Sequence, residues 1–395
     1  MSHTSIKDLD VQGKKVFLRV DLNVPLQGGK VADDTKIRAV LPTITYLAEK
    51  GAAVILASHL GRPKGQVKEE LRLDPVAQVL SDRLGRPVLK TDAFAGEEVK
   101  KEVSALKSGD ILLLENIRFH PGEEKNDVDF SRELASLAHF FVNDAFATAH
   151  RAHASTVGVG RFLPAAPGFL MEKELNYLQG VLTDPRRPLV AVLGGAKVAD
   201  KIELIRNLLG LVDTILIGGG MANTFLKAAG HDMGDSLLEE DKVPLAGELM
   251  EMARKKGLSL VLPQDLVAAL ELKEGQETKT VSVGQLPTGY KALDIGRETV
   301  ANFGTYLKDA GTVVWNGPLG AFEVEPFDQG TAGVAKHIAK SSAVSIIGGG
   351  DVVSALHKVG LAAKMTHIST GGGATLEYLE GRELPGVKIL TEGSR

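Results

Sequence analysis

Short runs of β-branched and aliphatic residues alternate along this 395-residue chain with longer amphipathic stretches. The runs fall at 16–20, 54–57, 111–114, 140–142, 189–193, 215–217, 313–315, 344–347 and 367–370. Each stops at or close to a glycine, a charged residue or another polar residue. Between the runs, Ile37, Val40, Leu41, Ile44 and Leu47 recur at helical spacing within 35–49. Comparable patterns predict helices over 74–84, 169–182, 200–209, 297–308 and 330–340, the first opening with Asp74 as N-cap ahead of Pro75. This alternation is the mark of βαβ units, because a parallel pair of strands needs a crossover between them. In open parallel sheets, ligands bind beyond the carboxyl ends of the strands. The residues after each run are therefore where chemistry is expected.

Those endings come in two kinds. In the first half they are polar and cationic: Asp21-Leu22-Asn23, then Ser58-His59-Leu60-Gly61-Arg62, Glu115-Asn116-Ile117-Arg118, and Asn143-Asp144 followed by His150-Arg151-Ala152-His153. In the second half they are glycine clusters: Gly194-Gly195-Ala196-Lys197, Gly218-Gly219-Gly220, Asn316-Gly317-Pro318, Gly348-Gly349-Gly350-Asp351 and Gly371-Gly372-Gly373. The expected fold is α/β, with two doubly wound parallel-sheet (Rossmann-like) domains. One carries an anion-binding rim and the other a glycine-rich rim suited to phosphate. At roughly 150 residues per domain the length allows two. A helical stretch ending in Thr183-Asp184-Pro185-Arg186-Arg187-Pro188 places the junction, giving domains of 1–170 and 171–380. The remaining 381–395 is either a tail or a segment packed back on the first domain.

Composition narrows the function. A net charge of −4 argues against a bulk polyanionic partner such as nucleic acid or an anionic membrane. No run approaches the ~18 apolar residues of a membrane span, and the N-terminus has no signal-type apolar stretch. The absence of cysteine excludes disulfides, zinc–thiolate sites and cysteine nucleophiles, and fits a cytoplasmic setting. No G-x-x-x-x-G-K-[ST], G-x-G-x-x-G, G-x-S-x-G or H-E-x-x-H sequence is present, which removes Walker-type, dinucleotide, hydrolase and metalloprotease readings.

What remains is a set of candidates with two readings each. Gly194-Gly195-Ala196-Lys197 lies between a strand and a predicted helix, where backbone N–H groups can meet a phosphate. Lys197 and Lys201 are four apart and would share a helical face; the alternative is a tight turn with two solvated lysines. Asp351 after the triple glycine can cap a helix or hold Mg²⁺ beside a phosphate. Arg38, Arg62, Arg118 and Arg151 each read alone as surface ion pairs. Three of them follow strand ends, though, and a guanidinium fork suits carboxylate and phosphate. His150 and His153 lack an evident third ligand, so a metal site there is not expected.

On these residues the chain resembles the phosphoglycerate kinase family from its first strand to its last helix. The motifs are Arg-Val-Asp-Leu-Asn-Val-Pro at 19–25, Ser-His-Leu-Gly-Arg-Pro at 58–63 and Leu-Glu-Asn-Ile-Arg-Phe at 114–119. They continue with Asn-Asp-Ala-Phe-Ala-Thr-Ala-His-Arg-Ala-His-Ala-Ser at 143–155, Gly-Gly-Ala-Lys-Val at 194–198 and Trp-Asn-Gly-Pro-Leu-Gly-Ala-Phe-Glu at 315–323. The resemblance implies a glycolytic enzyme that moves a phosphoryl group reversibly between 1,3-bisphosphoglycerate and MgADP, yielding 3-phosphoglycerate and MgATP. It implies a monomer whose two domains face across a cleft, close about a hinge and share the C-terminal segment with the first domain.

Residue by residue, the resemblance assigns phosphoglycerate to Asp21, Asn23, Arg38, His59, Arg62, Arg118 and Arg151. It assigns nucleotide phosphate to Lys201 and Asn316, the ribose to Glu323, magnesium to Asp351, and the adenine pocket to Gly195, Gly219, Gly220 and Leu293. Gly349, Gly350 and the backbone of Val352 complete the nucleotide contacts. Lys197, Arg38 and Gly371, Gly372 and Gly373 surround the phosphoryl group in flight. Three positions depart from the family pattern: Val352 for Thr or Ser, Tyr290 for Trp, and Arg297 for Pro. Rival readings are another acyl-phosphate kinase and a non-catalytic nucleotide sensor. The crowded arginines favour a doubly anionic substrate over acetate, and Lys197, Asp351 and Arg38 together speak against a sensor.

Overall fold

The computed structural model describes residues 5–392. Two compact units form, one of Met1–Asn176 with Glu383–Arg395 and one of Tyr177–Arg382. The helix Phe169–Thr183 carries the chain from the first into the second.

The first unit is built on strands β1 (Lys15–Arg19), β2 (Ala53–Ala57), β3 (Leu89–Lys90), β4 (Ile111–Leu113), β5 (Phe140–Asn143) and β6 (Ala165–Pro167). They pair in parallel in the order β3-β4-β2-β1-β5-β6. Every residue of β2 is buried, and so is all of β1 after Lys15, as expected for strands covered on both faces. Helix Thr35–Glu49 explains part of that cover: Ile37, Val40, Ile44 and Leu47 pack on Val16, Leu18, Val54 and Leu56. The winding reverses between β2 and β5 on either side of β1, so the carboxyl end of β1 lies at a switch point, where such sheets bind ligands. The C-terminal helix Pro385–Glu392 belongs to this unit. The Gly386 N–H donates to the Ala149 carbonyl at 2.8 Å, and Asn143 Nδ2 donates to the Gly386 carbonyl at 3.3 Å.

In the second unit the strands are β7 (Leu189–Leu193), β8 (Thr214–Ile217), β9 (Ser259–Val261), β10 (Asp265–Ala269), β11 (Lys279–Ser282), β12 (Lys291–Ile295), β13 (Thr312–Asn316), β14 (Val344–Gly348) and β15 (His367–Ile368). Six of them form a parallel sheet, β9-β8-β7-β13-β14-β15. The other three make a small antiparallel sheet, β11-β10-β12, that the sequence patterning did not anticipate. Trp315, Phe303, Leu307, Val313 and Ile347 lie in the main core.

Two local expectations change. The stretch 200–209 is a 3-10 turn, Ala199–Lys201, followed by helix Ile202–Leu208, so Lys197 precedes any helix and shares no helical face with Lys201. Asp74 is the first residue of helix Asp74–Leu84 and makes no side-chain cap; Leu73 holds the N-cap position. Val352 is fully buried in the core cluster that holds Leu356 and Ile347, so its side chain serves the core.

Candidate active site

The carboxyl ends of β1, β2, β4 and β5 gather most of the cationic residues singled out in the first half. Arg19 closes β1 and is fully buried. Its Nε donates to Ser155 Oγ at 2.9 Å, its Nη1 to the Val20 carbonyl, and its Nη2 lies 3.2 Å from His59 Nδ1. Asp21 pairs with Lys36 Nζ at 2.8 Å and accepts the Asn23 N–H at 3.0 Å. Asn23 Oδ1 in turn accepts the Gly61 N–H at 2.9 Å, fixing the β2 loop against the β1 loop. Arg118 donates through Nη1 to the Gly61 carbonyl at 3.0 Å and sits 3.4 Å from Glu124. Its buried Nη2 has no hydrogen-bond partner among the described residues, and neither does His153 Nδ1. Arg151 Nε donates to His150 Nε2 at 3.1 Å.

The local potential is strongly positive. Burial, then Arg19 and Arg118, hold the His59 imidazolium well below its ordinary range. Burial, then Arg118 and Arg19, press His153 down to about 3. Arg118 itself is pushed down to about 10 by burial and by Arg19. Both imidazoles are therefore neutral at neutral pH. A buried guanidinium donor without a partner, at a positive potential, is an arrangement that suits an anion.

Asp21, Asn23, His59, Arg118 and Arg151 thus come together, while among the described residues Arg38 and Arg62 make no hydrogen bond or ion pair with them. Arg38 is 59% exposed and binds Asp34 at 3.0 Å, a carboxylate that Arg83 also engages at 2.6 Å. Arg62 is exposed. Three participants escaped the sequence reading as site residues: Arg19, Lys36 and Glu123. Arg19 stood inside a recognised motif, and Lys36 lies one residue into its helix, where a lysine reads as solvated. Glu123 looks like any surface acid until it is seen fully buried on Ser155.

In the second unit the glycine clusters bring backbones together. A Cβ on Gly194 would lie 2.1 Å from the Pro318 carbonyl oxygen, so only glycine allows the β7 and β13 loops to meet. Lys201 is buried and donates to Asn316 Oδ1, and Asn316 Nδ2 donates to the Gly348 carbonyl at 2.9 Å. Burial lowers the Lys201 pKa, against the charges of Asp200 and Asp351. Lys201 and Asn316 are thus one hydrogen-bonded unit beside the Gly348–Gly350 turn. Gly219 and Gly220 open helix Gly219–Ala228, packed on the Gly195–Ala196 backbone. Leu293 lies on β12, whose carbonyl accepts the Ala321 N–H at 2.9 Å; Glu323, two residues on, is exposed. Gly371 and Gly372 lead into the short helix Gly373–Leu379, with the Gly371 N–H on Ser369 Oγ at 3.1 Å.

Two findings revise the phosphate picture. The Val198 and Ala199 N–H groups are not free, because both donate to Glu239 Oε2, at 2.5 and 3.1 Å. Lys197, exposed just before them, is left to act through its side chain. Asp351 is not the cap of its helix. Gly349, at φ 102°, holds the N-cap position of Gly350–Lys358 without a side-chain bond, and Asp351 is exposed in the first turn. Among the described residues no group of three or more His, Cys, Asp or Glu could enclose a metal ion. A single exposed carboxylate next to a phosphate turn fits Mg²⁺, which keeps waters and takes its other ligands from phosphate. Among the described residues, no helix is long and apolar enough to cross a membrane.

The phosphoglycerate kinase family model matches residues 6–382. A phosphoglycerate kinase of Moorella thermoacetica is 59% identical over 392 residues, 99% of this chain and 100% of that protein. One from Pelotomaculum thermopropionicum is 56% identical over the same shares. Among solved structures, phosphoglycerate kinase from Coxiella burnetii superposes with a TM-score of 0.92 at 42% identity, covering 100% of both chains. That from Pyrococcus horikoshii gives 0.84 at 36% identity, covering 98% of each.

Proposed function

The chain belongs to the phosphoglycerate kinase family, and on that premise we propose how its residues divide the work of the family's reversible, glycolytic phosphoryl transfer between ATP/ADP and phosphoglycerate. The first unit holds 3-phosphoglycerate or 1,3-bisphosphoglycerate, and the second holds the nucleotide.

The observation that carries this reading is a buried guanidinium donor without a partner among the described residues, Arg118 Nη2, at a rim of Arg19, Lys36, His59 and Arg151. Burying such a group unpaired costs stability unless a ligand meets it. An anion with two charged ends, one phosphate and one carboxyl, matches the spread of the rim better than a single carboxylate does. Asp21 and Asn23 accept hydrogen bonds and suit the hydroxyl of the glycerate.

The acceptor is a carboxylate, ionised at neutral pH, so no general base is required. That agrees with His59 and His153 being held neutral: they orient and donate, and leave the charge to the guanidinium groups. Catalysis then rests on positioning and on neutralising the equatorial oxygens of the moving phosphoryl group. Lys197 and Arg38 supply mobile cations, and the Gly371–Gly373 turn supplies backbone N–H groups. Lys201, oriented by Asn316, meets the nucleotide phosphates, with Gly349, Gly350 and the Val352 N–H beside it. Gly195, Gly219, Gly220 and Leu293 line the adenine, and Glu323 takes the ribose. Asp351 holds Mg²⁺, which screens the phosphate charge when bound. In-line transfer requires the two bound ligands to meet away from water, so the units must close on each other during turnover. A radius of gyration unchanged by 3-phosphoglycerate and a MgATP analogue together would contradict that requirement.

The deciding experiment measures ATP-dependent acyl-phosphate formation with 3-phosphoglycerate and with acetate. Turnover with the first and not the second is expected; the reverse preference refutes the assignment.

A further inference from the structure

Behind the cations of the first rim lies a carboxylate that no substrate atom can reach. Glu123 is fully buried. Its Oε1 accepts Ser155 Oγ at 2.6 Å, and its Oε2 accepts the Ser155 N–H at 3.0 Å. Its own carbonyl accepts the Ala154 N–H at 2.9 Å. The Ser155 hydroxyl that donates to Glu123 also receives Arg19 Nε at 2.9 Å, so carboxylate, hydroxyl and guanidinium form one buried chain. His153 Nδ1 stands 3.8 Å from Oε1. Burial pushes the Glu123 carboxyl up from its ordinary range, and Arg19, the Ser155 hydrogen bonds and Arg118 act against that rise and favour the charged form.

We propose that Glu123 is an internal counter-anion that sets how tightly the rim binds its substrate. The inference rests on the reading that this rim takes an anion. Gathering Arg19, Arg118, Arg151 and Lys36 at one sheet edge is costly in the absence of ligand, since like charges repel most where water is scarce. One buried negative charge offsets part of that cost and lets the empty unit stay folded. The same charge opposes the arriving phosphate and carboxylate, because both draw on the same positive potential. Stability of the empty unit and affinity for substrate are therefore traded against each other at one residue. This effect is not a packing effect: it acts at a distance and has opposite signs on the two quantities.

Glu123→Gln keeps the shape and one of the two acceptors facing Ser155, replaces the other with an amide NH2, and removes the charge. In thermal melts the variant without ligand should unfold at lower temperature than wild type. Its affinities for 3-phosphoglycerate and for sulfate, measured by calorimetry, should rise by about tenfold, the scale of one charge at close range in a partly screened site. Ser155→Ala leaves the charge in place and cuts the chain; its anion affinity should stay within about threefold of wild type. Lower stability with unchanged or weaker anion affinity in Glu123→Gln would make the residue merely structural and overturn the proposal. Should that variant not fold alone, the proposal expects sulfate to restore the fold, and failure at high sulfate also overturns it. A wild-type protein that binds both anions at this rim yet transfers no phosphoryl group would refute the proposed reaction while leaving Glu123's role to the affinity comparison. A wild-type protein that binds neither anion would overturn both.

Discussion

Acidification from pH 7 to pH 5 should weaken the first unit through His153. Burial and the charges of Arg118, Arg19, Arg151 and His150 press this ring from an ordinary 6.5 down to about 3. In the unfolded chain the same ring takes a proton below about 6.5. Between those values the unfolded state binds the extra proton, so stability rises with pH and is lost as pH falls. At about 1.4 kcal/mol per pH unit, the loss by pH 5 is about 2 kcal/mol, and it continues until the folded ring titrates. The ring is only 7% exposed, so solvent screening takes little from that figure. Urea unfolding of wild type and His153→Gln at both pH values isolates the effect. The variant cannot titrate at 153 and should lose about 2 kcal/mol less over the interval. His59 pushes in the same direction in both proteins and cancels in the comparison. A bound anion neutralises the rim, so 3-phosphoglycerate should shrink the wild-type loss. Equal losses in the two proteins, or a histidine resonance for His153 titrating above pH 6, would refute the electrostatic reasoning.

Lys197→Ala should lower kcat by about 10²–10³-fold, the scale of one preorganised charge contact, with a smaller change in nucleotide affinity; an unchanged kcat removes Lys197 from the chemistry. Arg62→Ala should mainly raise KM for 3-phosphoglycerate, whereas Arg38→Ala should mainly lower kcat, and steady-state kinetics showing the opposite split would reject the two roles. Asp351→Asn should raise the Mg²⁺ concentration needed for half-maximal rate and leave the melting temperature nearly unchanged, because this side chain caps nothing; a magnesium titration superimposable on wild type would exclude it as the ligand.

The parallel strands were legible because they are buried on both faces and read as unbroken apolar runs, as at 54–57 and 189–193. The edge strands Leu89–Lys90 and Ala165–Pro167 are two and three residues long and leave too little pattern to read. Lys279–Ser282, with three of its four residues charged or hydroxylated and mostly exposed, offers only Val281 as an apolar residue. On the rims, strand-end residues such as His59 and Arg118 announced themselves by position. Glu123 and Glu239 could not, since each gains its meaning from a partner 32 or 41 residues away. Asp351 was ambiguous for a related reason: a cap and a first-turn carboxylate differ by two residues of register, and only the backbone shows that Gly349 holds the cap position.

The return of helix Pro385–Glu392 to the first unit has a consequence for synthesis. A ribosome releases Tyr177–Arg382 as one unbroken stretch, so the second unit has all its residues before the last turn of chain emerges. The first unit, though translated earlier, still lacks the helix that meets Ala149 and Asn143. Its folding waits for residues that follow the whole second unit in the chain. The enzyme's earliest-made half is thus the later to be sealed, and loss of the segment that follows Arg382 strikes the amino-terminal unit rather than the one translated just before it.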